Sequence, residues 1–482
     1  MQKKIKYGTM FNKYKRNNFV LCVLHNRDIR YLCISYIKKL ILKLSAQGEI
    51  MKAYYYTFGC KVNSYETENI REAMQRLGYE DTDTPSQAEV CIVNSCAVTG
   101  EAVSKCRQLL RKLRRESPSA VIALAGCYAQ AFAEESKALP ECDIIVGSRN
   151  KSELPSMIMQ FLESREREIS ILPHEKGQGL EPMQNLGDDR KTRAFIKIQD
   201  GCDQYCTYCI IPFARGHICS KKPEDIAAEA QLLVQSGHKE IILTGINMCC
   251  YGKDLGDIRL PDAVRAACSA EGDYRVRLSS LEPELLTDED IRALAENDKL
   301  CPHFHLSLQS GCDKTLKRMN RHYNSAQYAE IVLRLRETFP SCAITTDVMA
   351  GFPGESEDDH RQSLEFVKRI AFAGGHVFPY SRREGTAADR FSEQVDQHVK
   401  NERARELREV IKASQLEYNR SQTGKTVRVL FERENSEQFH RGHSPEYINV
   451  RTERKTSQSL WRCFADVRII SADENGCFGE IV

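Results

Sequence analysis

Residues 193–209 read RAFIKIQDGCDQYCTYC. The first seven are a β-rich run, and Cys202, Cys206 and Cys209 follow within a loop at Cys-x3-Cys-x2-Cys spacing. A loop at the carboxyl end of a parallel strand is where barrel enzymes keep their reactive groups. Thiolates are soft ligands suited to iron–sulfur clusters or zinc. A four-iron cube, or a closed zinc site, takes four protein ligands. Three leave one position open, which is what a metal centre needs to bind a small molecule directly. A chelating amino and carboxylate pair can fill that position. Zinc with a distant fourth ligand such as His217 is the competing reading of the triplet.

The alternation continues outward from this stretch. The runs EIILTG, YRVRLSS, HFHLSLQ, AITTDVMAGFPG and GHVFPYS read as strands with helical runs between most of them. Six βα units predict a partial (β/α)6 barrel, short of the eight that close one fully. A charged helix at about 395–418 ends this part. The last 60 or so residues, with KTVRVLFE, YINVR, LWRCFADVRII and GCFGEIV, read as a small all-β barrel.

Upstream, KAYYYTFGC, EVCIVNSC, AVIALAGC and CDIIVGS are strands separated by helical runs, which implies a doubly wound parallel sheet. Cys60, Cys96 and Cys127 each stand just after the carboxyl end of one of these strands. Such ends share one edge, where ligands bind. Gly59 and Gly126 would let the chain turn sharply there. If the three strands are neighbours, three thiols meet in one crevice; burial as small apolar groups is the alternative. Cys91 and Cys106, inside a strand and a helix, read as packing. Residues 150–190 are polar and read as a linker. The expected division is 1–50 as a basic extension, 51–160, 188–418 and 420–482.

Composition sets the context. The chain has 482 residues, 41% hydrophobic and 28% charged, which suits a globular protein of several domains. Its 20 cysteines lack the regular spacing of a disulfide framework, so a reducing cytoplasm is expected. Residues 1–50 carry a net charge of +9, leaving −7 on the rest of a chain whose total is +2. That head reads as an RNA-binding arm, a targeting peptide, or sequence upstream of a true start at Met51, and the last is favoured. No segment reaches the ~20 apolar residues of a membrane span.

The cysteine triplet resembles that of the radical S-adenosylmethionine (SAM) enzymes. With it, FGCKVNSYET, NSCAVT, AGCYAQ, GCDQYCTYCIIPFARG, LTGIN, HLSLQSG, LKRMNR, GFPGE and YSRREGTAA resemble the methylthiotransferases from Met51 to the C-terminus. GCKVN is most similar to the branch acting on threonylcarbamoyladenosine in tRNA. The resemblance implies an N-terminal methylthiotransferase domain, a radical SAM barrel and a C-terminal TRAM domain. It implies two 4Fe-4S clusters, one on Cys202, Cys206 and Cys209, the other on Cys60, Cys96 and Cys127 and holding the sulfur to be inserted. It further implies that Gly245, Asn247, Ser307, Gln309 and Asp347, the last at the end of the fifth barrel strand, line the SAM pocket. One SAM would methylate the sulfur and a second supply the radical that replaces the C–H at carbon 2 of adenine by C–S. The base is adenine at position 37, beside the anticodon.

The implied partners are the tRNA anticodon stem-loop, a one-electron reductant such as flavodoxin, and a sulfur donor, with no membrane and a monomeric enzyme. Arg107, Arg111, Lys112, Arg114 and Arg115 could form a phosphate-facing stripe, and Arg321, Arg382 and Arg383 are further candidates. Residues 421–482 carry nine Lys/Arg against nine acids, so Trp461 and Tyr447 are candidates for stacking on bases. Glu355 in GFPGE is a weak candidate. Cys219 and Lys221 depart from the family pattern, as do Cys249 and Cys250, which are read as neutral. The same chemistry on isopentenyladenosine or on a ribosomal-protein aspartate is a close alternative. A non-catalytic, zinc-holding RNA-binding protein is the alternative from another class.

Overall fold

The computed structural model describes residues 50–188, 190–433, 436–455 and 458–482. The basic head therefore lies outside the described residues except for Ile50. Met51–Val482 form one unit containing three sheet systems.

The first is a six-stranded sheet of β1 (Lys52–Thr57), β2 (Glu80–Asp81), β3 (Val90–Ser95), β4 (Val121–Gly126), β5 (Ile144–Val146) and β6 (Glu168–Ser170). Its order is β2-β1-β3-β4-β5-β6 and every pairing is parallel. Both faces are buried, as parallel sheets require. Ile92, Ala123 and Ile144 pack under helices α1 (Lys61–Arg76) and α4 (Leu154–Ser164). Cys91, Val93 and Leu124 pack on the other face under α2 (Gly100–Glu116), with Cys106 in the same core. The intervening α3 (Cys127–Ala131) starts at the end of β4. The polar stretch expected as a linker begins later than expected: α4 and β6 belong to this sheet, which reaches Ser170, past residue 160.

The second system is the partial barrel. Its strands are β7 (Arg193–Lys197), β8 (Glu240–Thr244), β9 (Arg275–Leu278), β10 (His303–Leu306), β11 (Ala343–Ala350) and β12 (Gly374–Pro379). After Ser279, Ser280–Leu281 carry the line of β9 on to pair with β10. All neighbours run parallel. One continuous core from Ala194 to Ile411 fills the space between strands and outer helices.

The third is a closed antiparallel barrel with one parallel pairing, made of β13 (Thr426–Phe431), β14 (Phe439–His443), β15 (Asn449–Glu453), β16 (Phe464–Asp473) and β17 (Gly476–Ile481). It follows the helix Gln397–Arg420.

Charge fixes this barrel beneath the parallel one. Glu240 is fully buried and accepts from Arg193, Arg275 and Arg277. The arginines reach on to Ser444, Pro445, His443 and Arg428 backbone oxygens. Burial alone would raise the Glu240 carboxyl, but the three guanidiniums hold it well below its ordinary value. A depressed carboxylate stabilises the fold above its unfolded pKa of about 4.3 and loses that as pH falls. Glu240→Gln should therefore cost about 3 kcal/mol at pH 7, with the gap to the parent narrowing below about pH 4. Denaturation followed by the fluorescence of Trp461, the single tryptophan, reads this joint directly, because its indole nitrogen bonds Thr192 at 3.1 Å.

Candidate functional site

The three strands that carry Cys60, Cys96 and Cys127 are neighbours, β1-β3-β4. In this order the chain direction of successive crossovers reverses between β1 and β3, which makes that edge the ligand crevice of a doubly wound sheet. Gly59 adopts φ +95°, and a Cβ there would come within 2.8 Å of the Cys96 Cβ and Sγ. Glycine is thus what lets the first and second cysteine loops touch. Gly126 adopts φ +102°, and a Cβ there would strike Asn94 and the Ser95 carbonyl. It swings Cys127 onto the start of α3. Cys60 caps α1 and is exposed, whereas Cys96 and Cys127 are buried.

The segment that follows the second triplet packs on the first triplet's loops. Cys202, Cys206 and Cys209 occupy the loop between β7 and the helix α5 (Ile211–Arg215). Ile210 and Ala214 pack with Ala97 and Cys127 in one apolar cluster, so the two cysteine loops share a wall. Arg215 crosses it: its Nε lies 3.1 Å from the Cys127 Sγ, and its guanidinium binds Glu66, Asp200 and Asn63. Lys151 and Lys197 complete a buried set of three cations and two carboxylates. Burial would raise Glu66, yet Arg215, Lys151 and Lys197 hold it well below its ordinary value.

The thiols suit coordination. Burial pushes free Cys96 and Cys202 up to about 11 and Cys209 up to about 12. Such thiols do not ionise alone, and a bound metal is what deprotonates them. Donors already aim at two of the sulfurs: Arg321 Nη1 at Cys206 (3.3 Å) and Asn247 Nδ2 at Cys202 (3.9 Å). No three His, Cys, Asp or Glu side chains among the described residues are gathered tightly enough for one metal ion. Three thiolates apiece are a donor set suited to iron–sulfur clusters. His217 instead pairs with Asp203 at 2.7 Å.

The expected SAM-pocket residues divide. Asn247 follows β8, is buried, and leaves Oδ1 without a partner, an acceptor ready for an amino group. Gly245 lies against Gln199 and Met248, where a Cβ would meet atoms at 3.0–3.1 Å. Ser307 and Gln309 follow β10, with Gln309 held at φ +63° and its Oε1 buried and unpartnered. Strain of that kind in a non-glycine residue collects at functional sites. Asp347 differs from expectation: β11 runs on to Ala350, so Asp347 sits inside the strand, where its carboxylate meets His305 Nε2 at 3.2 Å.

Several expected RNA contacts are occupied otherwise. Arg321 is buried between Cys206 and Glu282. Arg383 is buried over the Phe132 ring, and Arg382 pairs with Asp389. Arg114 is tied to Asp143 and the Glu141 carbonyl, and Arg107, Arg111 and Lys112 each face a glutamate. Arg115 is exposed. Trp461 leans on Thr192, and Tyr447 stacks on His443 under Arg277. Glu355 is structural, accepting from Gly351 and Arg403. Cys219 and Cys250 are buried, Cys249 partly so, and Lys221 pairs with Glu229. Arg215 and Lys61 escaped the sequence reading, although both stand inside the motifs FARG and GCKVN.

The Radical SAM superfamily matches residues 196–367, and the Uncharacterized protein family UPF0004 matches residues 52–147. The chain is 38% identical over 401 residues to the threonylcarbamoyladenosine tRNA methylthiotransferase MtaB of Bacillus subtilis, covering 82% of this chain and 89% of that protein. It is 40% identical to the protein of the same name from Thermotoga maritima, covering 78% and 85%. It is 36% identical to the tRNA-2-methylthio-N(6)-dimethylallyladenosine synthase of a Thermoanaerobacter species, covering 82% and 85%.

Proposed function

The chain belongs to the radical SAM tRNA methylthiotransferases, and we propose that it converts threonylcarbamoyladenosine beside the anticodon of tRNA to its 2-methylthio derivative. The observation that carries this reading is the apolar wall shared by the two cysteine loops, with Arg215, on the helix after the second triplet, reaching Cys127 of the first. An enzyme that both makes a radical and inserts sulfur needs its two centres around one base.

SAM and two 4Fe-4S clusters supply the chemistry: a one-electron cleavage that gives a radical, and a sulfur to insert at an unactivated carbon. Cys202, Cys206 and Cys209 would hold the first cluster, and Cys60, Cys96 and Cys127 the second. Asn247, with its buried and unpartnered Oδ1, would accept from the amino group of SAM. Gln309, fixed by its backbone bonds to Asp347 and Met349, presents its amide from the carboxyl edge of the barrel. The apolar cluster of Ala97, Ile210 and Ala214 keeps water from the wall between the triplets. A one-electron reductant is required; flavodoxin-type proteins fit that role. A sulfur donor completes the cycle, the enzyme acts as a monomer, and the cytoplasm is its compartment. No helix among the described residues is long and apolar enough to cross a membrane.

Mass spectrometry of tRNA nucleosides tests the substrate. A deletion strain should lose 2-methylthio-threonylcarbamoyladenosine and accumulate its unthiolated precursor, while the dimethylallyl nucleoside keeps its methylthio group. Loss of the dimethylallyl product instead would transfer the enzyme to the other branch.

A further inference from the structure

A cavity of about 470 Å³, within the ~300–1,000 Å³ range of small-molecule sites, opens between the partial barrel and the C-terminal barrel, with Lys61 of the N-terminal domain on its lining. His303 and His305 come from β10, two residues apart and so on one face, and Asp347 comes from β11. Tyr447 comes from the C-terminal barrel, and Lys61 reaches in from the start of α1.

Lys61, His303 and Glu446 on this lining each leave a polar atom without a partner. The Lys61 ammonium makes no ion pair or hydrogen bond with any described residue, and the residue is exposed on the cavity lining. His303 is only 7% exposed, and its Nδ1 is buried without a partner. Its other nitrogen is taken by Thr345 at 3.2 Å. Of the carboxylates on the lining, Asp347 is held by His305, whereas Glu446 keeps its buried Oε2 without a partner. Arg277 sits 4.7 Å over the ring of Tyr447, which is on the lining.

On the reading of function above, we propose that this cavity takes the threonylcarbamoyl arm of the target nucleoside and that Lys61 pairs with its carboxylate. The arm carries one carboxylate, one hydroxyl and a urea, whereas a dimethylallyl arm carries no polar group. His303 Nδ1 and Lys61 supply the missing complements. The position fits the reaction too. The arm hangs from N6 of adenine and sulfur enters at carbon 2 of the same ring, so the two groups that serve them must be close. Lys61 directly follows Cys60 in the chain.

Anaerobic holoenzyme is titrated with two fluorescent anticodon stem-loops that differ only in carrying threonylcarbamoyladenosine or plain adenosine. The parent should prefer the modified RNA. Lys61→Met should weaken that RNA by roughly 30-fold, leave the plain RNA within about twofold, and keep the parent's iron content; Lys61→Arg, which keeps the charge, should restore most of the preference. Equal weakening of both RNAs, or an unchanged preference, overturns the role of Lys61. A parent that shows no preference overturns the functional reading itself. A ligand-side test needs no variant: threonylcarbamoyladenosine should compete for the parent enzyme at least about 30-fold better than its methyl ester, and equal competition sinks the carboxylate pairing.

Discussion

Cys206→Ala enzyme, purified anaerobically, is expected to retain about four of about eight irons, to form no 5′-deoxyadenosine from SAM, and to give no methylthiolated tRNA. Cys96→Ala should also lose about half the iron, yet still cleave SAM while inserting no sulfur. The contrast follows from where the side chains stand. Cys206 belongs to the loop after β7, next to Arg321 and with Asn247 on Cys202 of the same loop, and nothing in the N-terminal sheet replaces it. Cys96 stands at the end of β3, against Gly59. Its loss opens one cluster without touching the residues around the other. Two measurements on one sample, iron per chain and 5′-deoxyadenosine per chain, separate the triplets. Methylthiolated product from Cys96→Ala would exclude a sulfur-carrying role for the β1-β3-β4 edge. Iron unchanged in either variant would refute the ligand sets.

The sequence was most informative where local pattern and chemistry coincide. Strands ending in Gly-Cys or Ser-Cys place a thiol at a sheet edge whatever the tertiary context, so both triplets and the six barrel strands were legible. The short strands β2 and β6 were not. Glu80–Asp81 and Glu168–Ser170 have no alternation to read and are strands only because β1 and β5 offer them free edges. Charged residues were least legible. Arg321 and Arg383 look like phosphate contacts because arginine on its own looks solvated. Their burial depends on Glu282 and Phe132, partners far off in the chain. Asp347 was displaced by a simpler effect: β11 continues beyond it through Val348 and Met349, which pair with Val377 and Phe378. Lys61 reads in sequence only as the residue after Cys60, and its place on the cavity lining sets it apart.

Arg215→Gln is expected to lower tRNA methylthiolation by about 10–100-fold and to cost about 3 kcal/mol of stability, with SAM cleavage affected far less. Arg215, Lys151 and Lys197 outnumber Glu66 and Asp200, so the buried set carries an excess positive charge. Water does not reach it to screen that excess, and an uncompensated buried charge is costly. The nearest remaining sulfur is Cys127, 3.1 Å from Arg215 Nε. The set therefore balances when Cys127 is a thiolate, as a cluster ligand is. Hydrogen bonds to cluster sulfurs also tune potential. Removing this one should lower the potential of the cluster on Cys60, Cys96 and Cys127 and leave the other where it was. Anaerobic redox titration followed by electron paramagnetic resonance resolves the two. Arg215→Lys keeps the charge but not the fork that reaches Glu66, Asn63 and Cys127 together, so it should recover stability more than potential. Equal potentials in parent and Arg215→Gln would leave Arg215 only the task of holding the two domains against each other through Glu66 and Asp200.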